Sequence, residues 1–124
     1  MQKLLFIHPD HRLHLLYRKA LSEHFLVDSA YDGLKGLRLI QKQKPHIIVS
    51  EYNLPILSGS SILRFVRNHH ELFSVPFIFL SGYHPAADTL GFGANEWVVL
   101  SETNPEDLIS KCHQHLKQRS VTYV

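Results

Sequence analysis

The sequence lacks the features of a secreted, membrane-bound or nucleic-acid-binding protein. Its single cysteine, Cys112, cannot form an intrachain disulfide, so nothing indicates an oxidising compartment. The first apolar run, residues 4–7, is too short for a signal peptide or a membrane span. Lys and Arg outnumber Asp and Glu by only 13 to 11, which gives no basis for a nucleic-acid or membrane surface. We therefore expect a cytoplasmic protein that contacts neither nucleic acid nor membrane.

Motifs of nucleotide binding and hydrolysis are also missing. Residues 91–94 contain a G-x-G triplet, but the next glycine is absent and no helix opens there after a strand. Neither a Walker-type loop nor a G-x-S-x-G turn occurs. Cys112 lies on the apolar stripe of a predicted helix, where a thiol is structural rather than nucleophilic. We therefore expect that the protein is not an enzyme.

What the sequence does contain is an alternation of short apolar runs with segments of helical periodicity. The runs are residues 4–7, 25–27 (which stops before Asp28), 47–49, 77–80 and 97–100. The first helical segment carries an apolar stripe of Leu13, Leu16, Tyr17, Ala20 and Leu21. Because the strands are continuously apolar, both faces of their sheet must be covered. The pattern predicts an α/β fold, a doubly wound five-stranded parallel sheet over residues 1–118, with a frayed tail at 119–124.

The carboxyl ends of the predicted strands are the place to search for a functional site. In a doubly wound sheet, ligands bind beyond these ends, where the order of the strands reverses. The residues that directly follow predicted strands are 8–10, 50–51, 81–82 and 100–101. They include His8, Asp10, Glu51 and Ser81, whose side chains carry the polar chemistry of this edge.

Several of these segments resemble those of one family in order and spacing. They are the stretch PHIIVSEYNLP at residues 45–55 with Gly59 after it, Asp32-Gly33 before the second helix, residues 76–81 with a terminal hydroxyl, and Gly93-Ala94 before the fifth strand. From about Lys3 to Leu116 the chain resembles a response-regulator receiver domain. The resemblance implies the flavodoxin-like, CheY-like fold. Residues 81–93 form a short connection, which implies a fourth helix shortened by about one turn.

The resemblance implies a site at which a histidine kinase phosphorylates an aspartate. Such a site needs an acidic pair that supports Mg²⁺, an acceptor carboxylate, a lysine and a hydroxyl. In this sequence the acceptor position holds Glu51, and the acidic pair falls on His8 and Pro9. The lysine position falls on Leu100, and only the hydroxyl position, Ser81, is kept.

These departures predict that Mg²⁺ binding and phosphotransfer are lost. The longer side chain of Glu51 displaces its carboxylate, proline offers no side-chain oxygen, and imidazole is a poor ligand for Mg²⁺. Leu100 cannot neutralise phosphoryl charge. We therefore expect no metal, no cofactor and no catalytic residue in this pseudo-receiver, a two-component signalling module that acts through protein contacts.

Two alternatives remain open at this point. In the first, the chain is a phosphorylatable regulator in a phosphorelay, and Asp10 forms a partial metal site with Glu51. In the second, it is a small flavodoxin-like enzyme or cofactor-binding protein, against which the apolar Leu100 and Pro9 argue. Acetyl phosphate or beryllofluoride with Mg²⁺ distinguishes the first alternative from an inert site.

The role of Glu51 also has two interpretations. In one, its carboxylate imitates the phosphorylated state and extends toward Ser81. In the other, it pairs with His8 or faces water. A pair with His8 would raise the pKa of the imidazole and make the domain mildly sensitive to pH.

Trp97 occupies the position of the aromatic residue that switches rotamers in receivers, and it is equally interpreted as a partly buried aromatic at a strand end. The expected partner is a protein, bound on the face formed by the fourth helix, the fifth strand and the last helix. A weak homodimer through that face is a further expectation. His8, Asp10, His11 and His14 could suggest a metal cluster, but we interpret the histidines as polar residues of an exposed first helix.

Overall fold

Five parallel strands form the sheet. A computed structural model describes residues 1–85 and 93–121, with side chains described as far as residue 119. The strands are β1 Lys3–Ile7, β2 Leu26–Ala30, β3 Ile47–Ser50, β4 Phe77–Ser81 and β5 Glu96–Val99. Their order in the sheet is β2-β1-β3-β4-β5, and every neighbouring pair is parallel. The predicted doubly wound five-stranded sheet is therefore confirmed.

Four helices connect or follow the strands in the described part of the chain. They are α1 at residues 11–21, α2 Gly33–Gln43, α3 Gly59–Asn68 and α4 Pro105–Val121, with a 3-10 turn at Leu100–Glu102. The short helix predicted between β4 and β5 falls largely on residues 86–92, which lie outside the described residues. Helix α4 continues past residue 118, where the domain was expected to end, and residues 122–124 are also outside the described range.

Polar side chains fix where the helices begin. The Asp32 carboxylate accepts the Lys35 N–H at 2.8 Å at the start of α2, and the Ser58 hydroxyl accepts the Ser61 N–H at 3.2 Å at the start of α3. Such caps satisfy N–H groups that have no partner within the helix. Asn104 caps α4 in the same way, through the Asp107 N–H at 2.9 Å. Pro105 then occupies the first helical position, where its missing N–H costs nothing.

The sheet separates two apolar layers, because successive strand side chains point to opposite faces. On one face, Phe6 and Val49 pack with buried residues of α1 and α4. On the other face, Ile7 and Ile48 pack with buried residues of α2 and α3. Burial on both faces explains why the inner strands are continuously apolar and leave the ends of the strands for polar chemistry.

The first helix differs from its prediction because its middle, His14–Arg18, is π-helical between α-helical ends at His11–Leu13 and Lys19–Leu21. A π turn holds one residue more than an α turn and therefore rotates the following side chains around the helix. Within this segment Tyr17 is buried as expected, whereas Leu16, also expected in the core, is 56% exposed.

The second strand is longer than the sequence predicted. It continues through Asp28 and Ser29 to Ala30, although it was expected to stop before Asp28. Because β2 lies at the edge of the sheet, its polar side chains can stay partly exposed while its backbone pairs with β1. The apolar run is therefore a poor guide to burial in this strand, because Leu26 is exposed and Ala30 is fully buried.

Candidate functional site

The carboxyl edge of the sheet brings His8 and Glu51 together. His8 follows β1 and donates its backbone N–H to the carbonyl of Ala30 at 3.0 Å, and Glu51 follows β3 and donates to the carbonyl of Ile7 at 2.9 Å. Their side chains face each other, with 3.8 Å between His8 Nε2 and Glu51 Oε1. Both residues are buried. This separation is too long for a hydrogen bond, so the two groups are neighbours rather than a tight pair.

The Glu51 carboxylate is bound to its own loop. Its Oε2 atom accepts the backbone N–H groups of Tyr52 and, at 3.4 Å, of Asn53. The Ser81 hydroxyl instead accepts the Tyr83 N–H at 3.3 Å. Within residues 1–85 and 93–121, no hydrogen bond connects Glu51 with Ser81. The Glu51 carboxylate and the Ser81 hydroxyl therefore lie at the same edge of the sheet, but each accepts hydrogen bonds from its own loop.

His8 is held as a neutral imidazole. Its Nδ1 accepts the Asp10 N–H at 3.2 Å, which places the ring proton on Nε2, and this buried nitrogen has no hydrogen-bond partner among the described residues. Burial lowers the pKa of His8 to about 4, although the charge of Asp10 acts in the opposite direction. The pKa of His8 is therefore lowered, and not raised as was expected for a His8–Glu51 pair, because loss of hydration outweighs the charge of Asp10.

Pro9 and Asp10 contribute little to the pocket between His8 and Glu51. Pro9 is half-buried and carries no polar side-chain atom. The Asp10 carboxylate accepts the Arg12 N–H at 2.8 Å and caps α1, and this hydrogen bond is the main cause of its lowered pKa. Asp10 is thus committed to the start of the helix.

Leu100 also contributes no polar group to the site. It opens the 3-10 turn after β5 and packs against the apolar layer that contains Val98 and Leu108. Across the described ranges, no three His, Cys, Asp or Glu side chains are grouped so that they could hold a metal ion.

Comparison with known proteins identifies the family of the chain. The probable transcriptional regulator ycf29 of Porphyra purpurea is 32% identical over 99 residues, which cover 74% of this chain and 47% of that protein. The probable chemotaxis protein CheY of Rhizobium etli is 28% identical over 81 residues, covering 64% and 63%. A CheY-like receiver domain from Methanospirillum hungatei superposes with a TM-score of 0.88 at 20% identity, covering 98% of both chains. The chain belongs to the CheY-like response-regulator receiver family.

The family assignment rests on individual relatives, since no family model matches the chain. The receiver domain spans less than two thirds of the curated relatives named above. Receiver domains of this family belong to two-component signalling and interact with other proteins. Among the described helices, none combines the length and apolarity that crossing a bilayer requires.

Trp97 lies half-buried beside the candidate site of the receiver domain. Its ring packs against Tyr52 and Phe79, with centroid distances of 5.5 and 5.2 Å, and its Nε1–H donates to the carbonyl of Tyr83 at 2.8 Å. Tyr52 directly follows Glu51, so the indole contacts the residue next to the predicted acceptor position. A change in the loop after β3 would therefore alter the surroundings of this ring.

A groove of about 440 Å³ runs along the face that was predicted to bind a partner. We call it the β5–α4 groove, and its lining includes His84, Trp97, Glu102, Asp107 and Lys111. His84 Nε2 lies 2.7 Å from a Glu102 carboxylate oxygen across its rim. The remaining part of the predicted face, residues 86–92, lies outside the described residues.

His14 is a neighbour of the site whose burial was not predicted from the sequence. It is 3% exposed, although it was expected on an exposed helix face, and its Nε2 lies 2.7 Å from the carbonyl of His8. Its ring also packs edge-on against Phe6, with 5.0 Å between centroids. His14 lies three and seven residues before the buried Tyr17 and Leu21, so helical spacing places it on their face, and this was the signal that the interpretation of the histidines as exposed passed over.

The buried imidazole of His8 should make the stability of the receiver domain depend on pH. Between pH 6.5 and about 4 the unfolded chain binds a proton that folded His8 does not. The free energy of unfolding should therefore fall as the pH falls through this range, by roughly 3 kcal/mol. Urea denaturation at a series of pH values measures this loss, which should level off below the folded pKa.

The variant His8→Gln serves as the control for this pH dependence. It removes the titrating group, so its free energy of unfolding should depend less steeply on pH over the same range. A shallower dependence remains, because burial also lowers the pKa of His14. Equal slopes in the parent and the variant would show that His8 is not the source.

Proposed function

We propose that this receiver domain signals by protein binding, without Mg²⁺-dependent phosphorylation. The single observation that carries the proposal is the donor set of the pocket. It offers one carboxylate, that of Glu51, which is already bound to two backbone N–H groups and faces a neutral imidazole. Absence of catalysis and a cytoplasmic location are parts of the same proposal.

The chemistry of the neighbouring residues argues against a magnesium site. Mg²⁺ requires a nearly octahedral set of oxygen ligands. His8 presents a nitrogen, Pro9 presents no donor, and the Asp10 oxygen is engaged in capping α1. The residues present therefore do not fit the ion, and we derive no step through it.

The surroundings of a phosphoryl group would also be unfavourable. Transfer to a carboxylate needs a cation that neutralises the charge on the phosphoryl oxygens. At the lysine position, Leu100 packs into the apolar layer instead. This substitution supports loss of phosphotransfer independently of the metal.

The contacts of Glu51 favour a structural role over imitation of phosphate. A carboxylate that imitates a phosphoryl group has to engage the hydroxyl of Ser81, which transmits the signal in the family pattern. Glu51 instead accepts hydrogen bonds from Tyr52 and Asn53 and thereby fixes the loop after β3. We infer that it holds this loop in one conformation.

The proposed contact surface is the β5–α4 groove, with a protein as the partner. Its rim combines an aromatic edge, Trp97, with charged groups of both signs, Asp107 and Lys111. Interfaces with this mixture recognise proteins, because the aromatic residue contributes buried area and the charges contribute specificity. Weak self-association through the same groove is part of the proposal.

Incubation with acetyl phosphate or beryllofluoride in the presence of Mg²⁺ tests the proposal. We expect no gain in intact mass with acetyl phosphate and no Mg²⁺-dependent change in the fluorescence of Trp97, the only tryptophan. Its packing against Tyr52 makes it sensitive to ligands at the acceptor position. A phosphorylated product would instead establish the alternative of a modified acceptor that uses Glu51 with Asp10.

The variant Glu51→Gln tests the structural role of the side chain. Glutamine keeps an oxygen that accepts the two backbone N–H groups but removes the charge. We expect the Trp97 fluorescence of the variant to match that of the parent. A spectrum that changes with the charge would support imitation of phosphate.

A further inference from the structure

We propose that α2 and the loop after β3 form a second docking groove, which binds an acidic amphipathic helix of a partner protein. This α2 groove has a volume of about 430 Å³ and is lined by Leu34, Lys35, Arg38, Leu39, Lys42 and Ile56. It shares no lining residue with the β5–α4 groove. The inference does not depend on whether the domain is phosphorylated.

Ile56 is the first reason to assign a partner to this groove. Its φ angle is +72°, in the left-handed region that a β-branched residue adopts at a cost of roughly 1–2 kcal/mol. Its side chain is nevertheless 76% exposed, so packing within the chain does not offset that cost. An apolar partner would bury this side chain and so account for an isoleucine at a position suited to asparagine or glycine.

The backbone around Ile56 is rigidly attached to α2. The carbonyl of Pro55 accepts two N–H groups, that of Gly33 at 3.1 Å and that of Leu57 at 2.8 Å. A Cβ atom on Gly33 would lie only 1.7 Å from the carbonyl oxygen of Leu57, so the loop rests directly on the first turn of the helix. Ile56 is thus presented from a fixed backbone, which lowers the entropy cost of binding.

The charges of α2 are the second reason. Lys35, Arg38 and Lys42 are exposed and spaced by three and four residues, which places them on one helix face. None of them forms an ion pair with a carboxylate in the described portion of the chain. The one carboxylate in the groove lining, Asp32, caps the helix. Like charges at this spacing destabilise a helix unless something outside it supplies the opposite charge.

These features together select the kind of partner. Leu34, Leu39 and Ile56 provide apolar surface beside the three cations. A helix laid against α2 can place apolar side chains on this surface and carboxylates opposite the cations, because both follow the same spacing. A flat anionic membrane would meet the cations but would not fill a concave groove.

Titration of the ¹⁵N-labelled domain with a designed helical peptide tests the proposal. The peptide carries leucines on one face with glutamates beside them, and a matched peptide has glutamine at every glutamate. We expect chemical-shift changes confined to α2 and residues 52–57, and clearly weaker binding of the glutamine peptide. Changes centred on another face, or equal binding of both peptides, would overturn the proposal.

Charge reversal on the protein provides the matched comparison. The double variant Arg38→Glu with Lys42→Glu should lower the affinity for the acidic peptide by about tenfold or more. Arg18→Glu with Lys19→Glu changes the net charge equally on α1 and should leave the affinity unchanged. A peptide with lysine at every glutamate should bind the Arg38→Glu, Lys42→Glu variant more tightly than it binds the parent domain. If it does not, the proposed binding of acidic helices in the α2 groove is wrong.

The variant Ile56→Asn separates binding from stability. Asparagine tolerates a positive φ, so the thermal midpoint should rise, while loss of the apolar side chain should weaken peptide binding. A purely structural role for Ile56 predicts a lower midpoint or unchanged affinity, and either result would contradict the proposal. Binding of phosphatidylserine vesicles that requires Arg38 and Lys42, without binding of the peptide, would assign the surface to a membrane instead.

Discussion

The combined substitutions His8→Asp, Pro9→Asp, Glu51→Asp and Leu100→Lys are expected to give a receiver domain that acetyl phosphate phosphorylates in the presence of Mg²⁺. Three carboxylates would supply oxygen ligands for the ion and an acceptor of the family's length. The lysine would supply the cation that stabilises the phosphoryl oxygens. Intact-mass spectrometry measures the outcome, as the gain of one phosphoryl group by the variant and none by the parent.

The backbone already has the arrangement that this result requires. The ends of β1 and β3 are adjacent, since the Glu51 N–H donates to the carbonyl of Ile7 at 2.9 Å. On the other side, Ser81 pairs with Val99, which directly precedes Leu100. The four substituted positions therefore follow strands that end at the same edge of one parallel sheet.

The restored pocket should also change how stability responds to Mg²⁺. Several carboxylates placed close together repel one another when no cation is bound. The fourfold variant should therefore have a lower thermal midpoint than the parent without Mg²⁺ and gain stability when the ion is added. The parent should show no response to the ion.

A matched control keeps the three other substitutions and replaces Glu51 with asparagine. It retains most of the oxygen ligands but has no acceptor carboxylate, so it should bind Mg²⁺ without gaining mass. If the fourfold variant binds Mg²⁺ and is still not phosphorylated, these four positions are not what makes the natural chain inert.

The substitution Gly33→Ala is expected to destabilise the domain by about 3 kcal/mol or more. The added Cβ would lie 1.7 Å from the carbonyl oxygen and 2.6 Å from the carbonyl carbon of Leu57. Both contacts are with backbone, so no side-chain rotation relieves them. The loop or the first turn of α2 would have to move, which would strain the hydrogen bond from Gly33 to Pro55. Urea denaturation measures the change as a lower midpoint.

Gly82→Ala is the control for this effect. A Cβ atom at Gly82 would meet no atom of the described residues within 4 Å, and Gly82 is exposed. We expect its urea midpoint to stay close to that of the parent. Similar losses in the two variants would mean that a general property of glycine, rather than the contact with Leu57, is responsible.

The fold could be predicted from the sequence because its inner strands are unambiguous. Residues such as Ile48 and Phe79 belong to continuously apolar runs that only a sheet covered on both faces can bury. The pattern was less informative in α1, where the apolar residues are too many to define one face and His14 was treated as polar because of its residue type. Leu16 is in fact exposed and His14 buried, the reverse of the expectation.

The candidate site was predictable in position and less so in its electrostatics. The resemblance placed His8 and Glu51 at one edge, and the structure brings their side chains to 3.8 Å. The predicted direction of the His8 pKa shift was wrong, because a sequence shows which charges are near but not how much hydration a side chain loses on burial. Ile56 gave no signal at all, since nothing in the sequence around it requires a positive φ.

The π-helical segment of α1 has a consequence for how the chain tolerates changes in length. One residue within His14–Arg18 is surplus to a regular α-helix. Its deletion would restore ordinary helical winding while β1 and β2 keep their pairing, in which Lys3 lies opposite Leu26. A single-residue deletion in this segment is therefore expected to leave the register of the sheet unchanged.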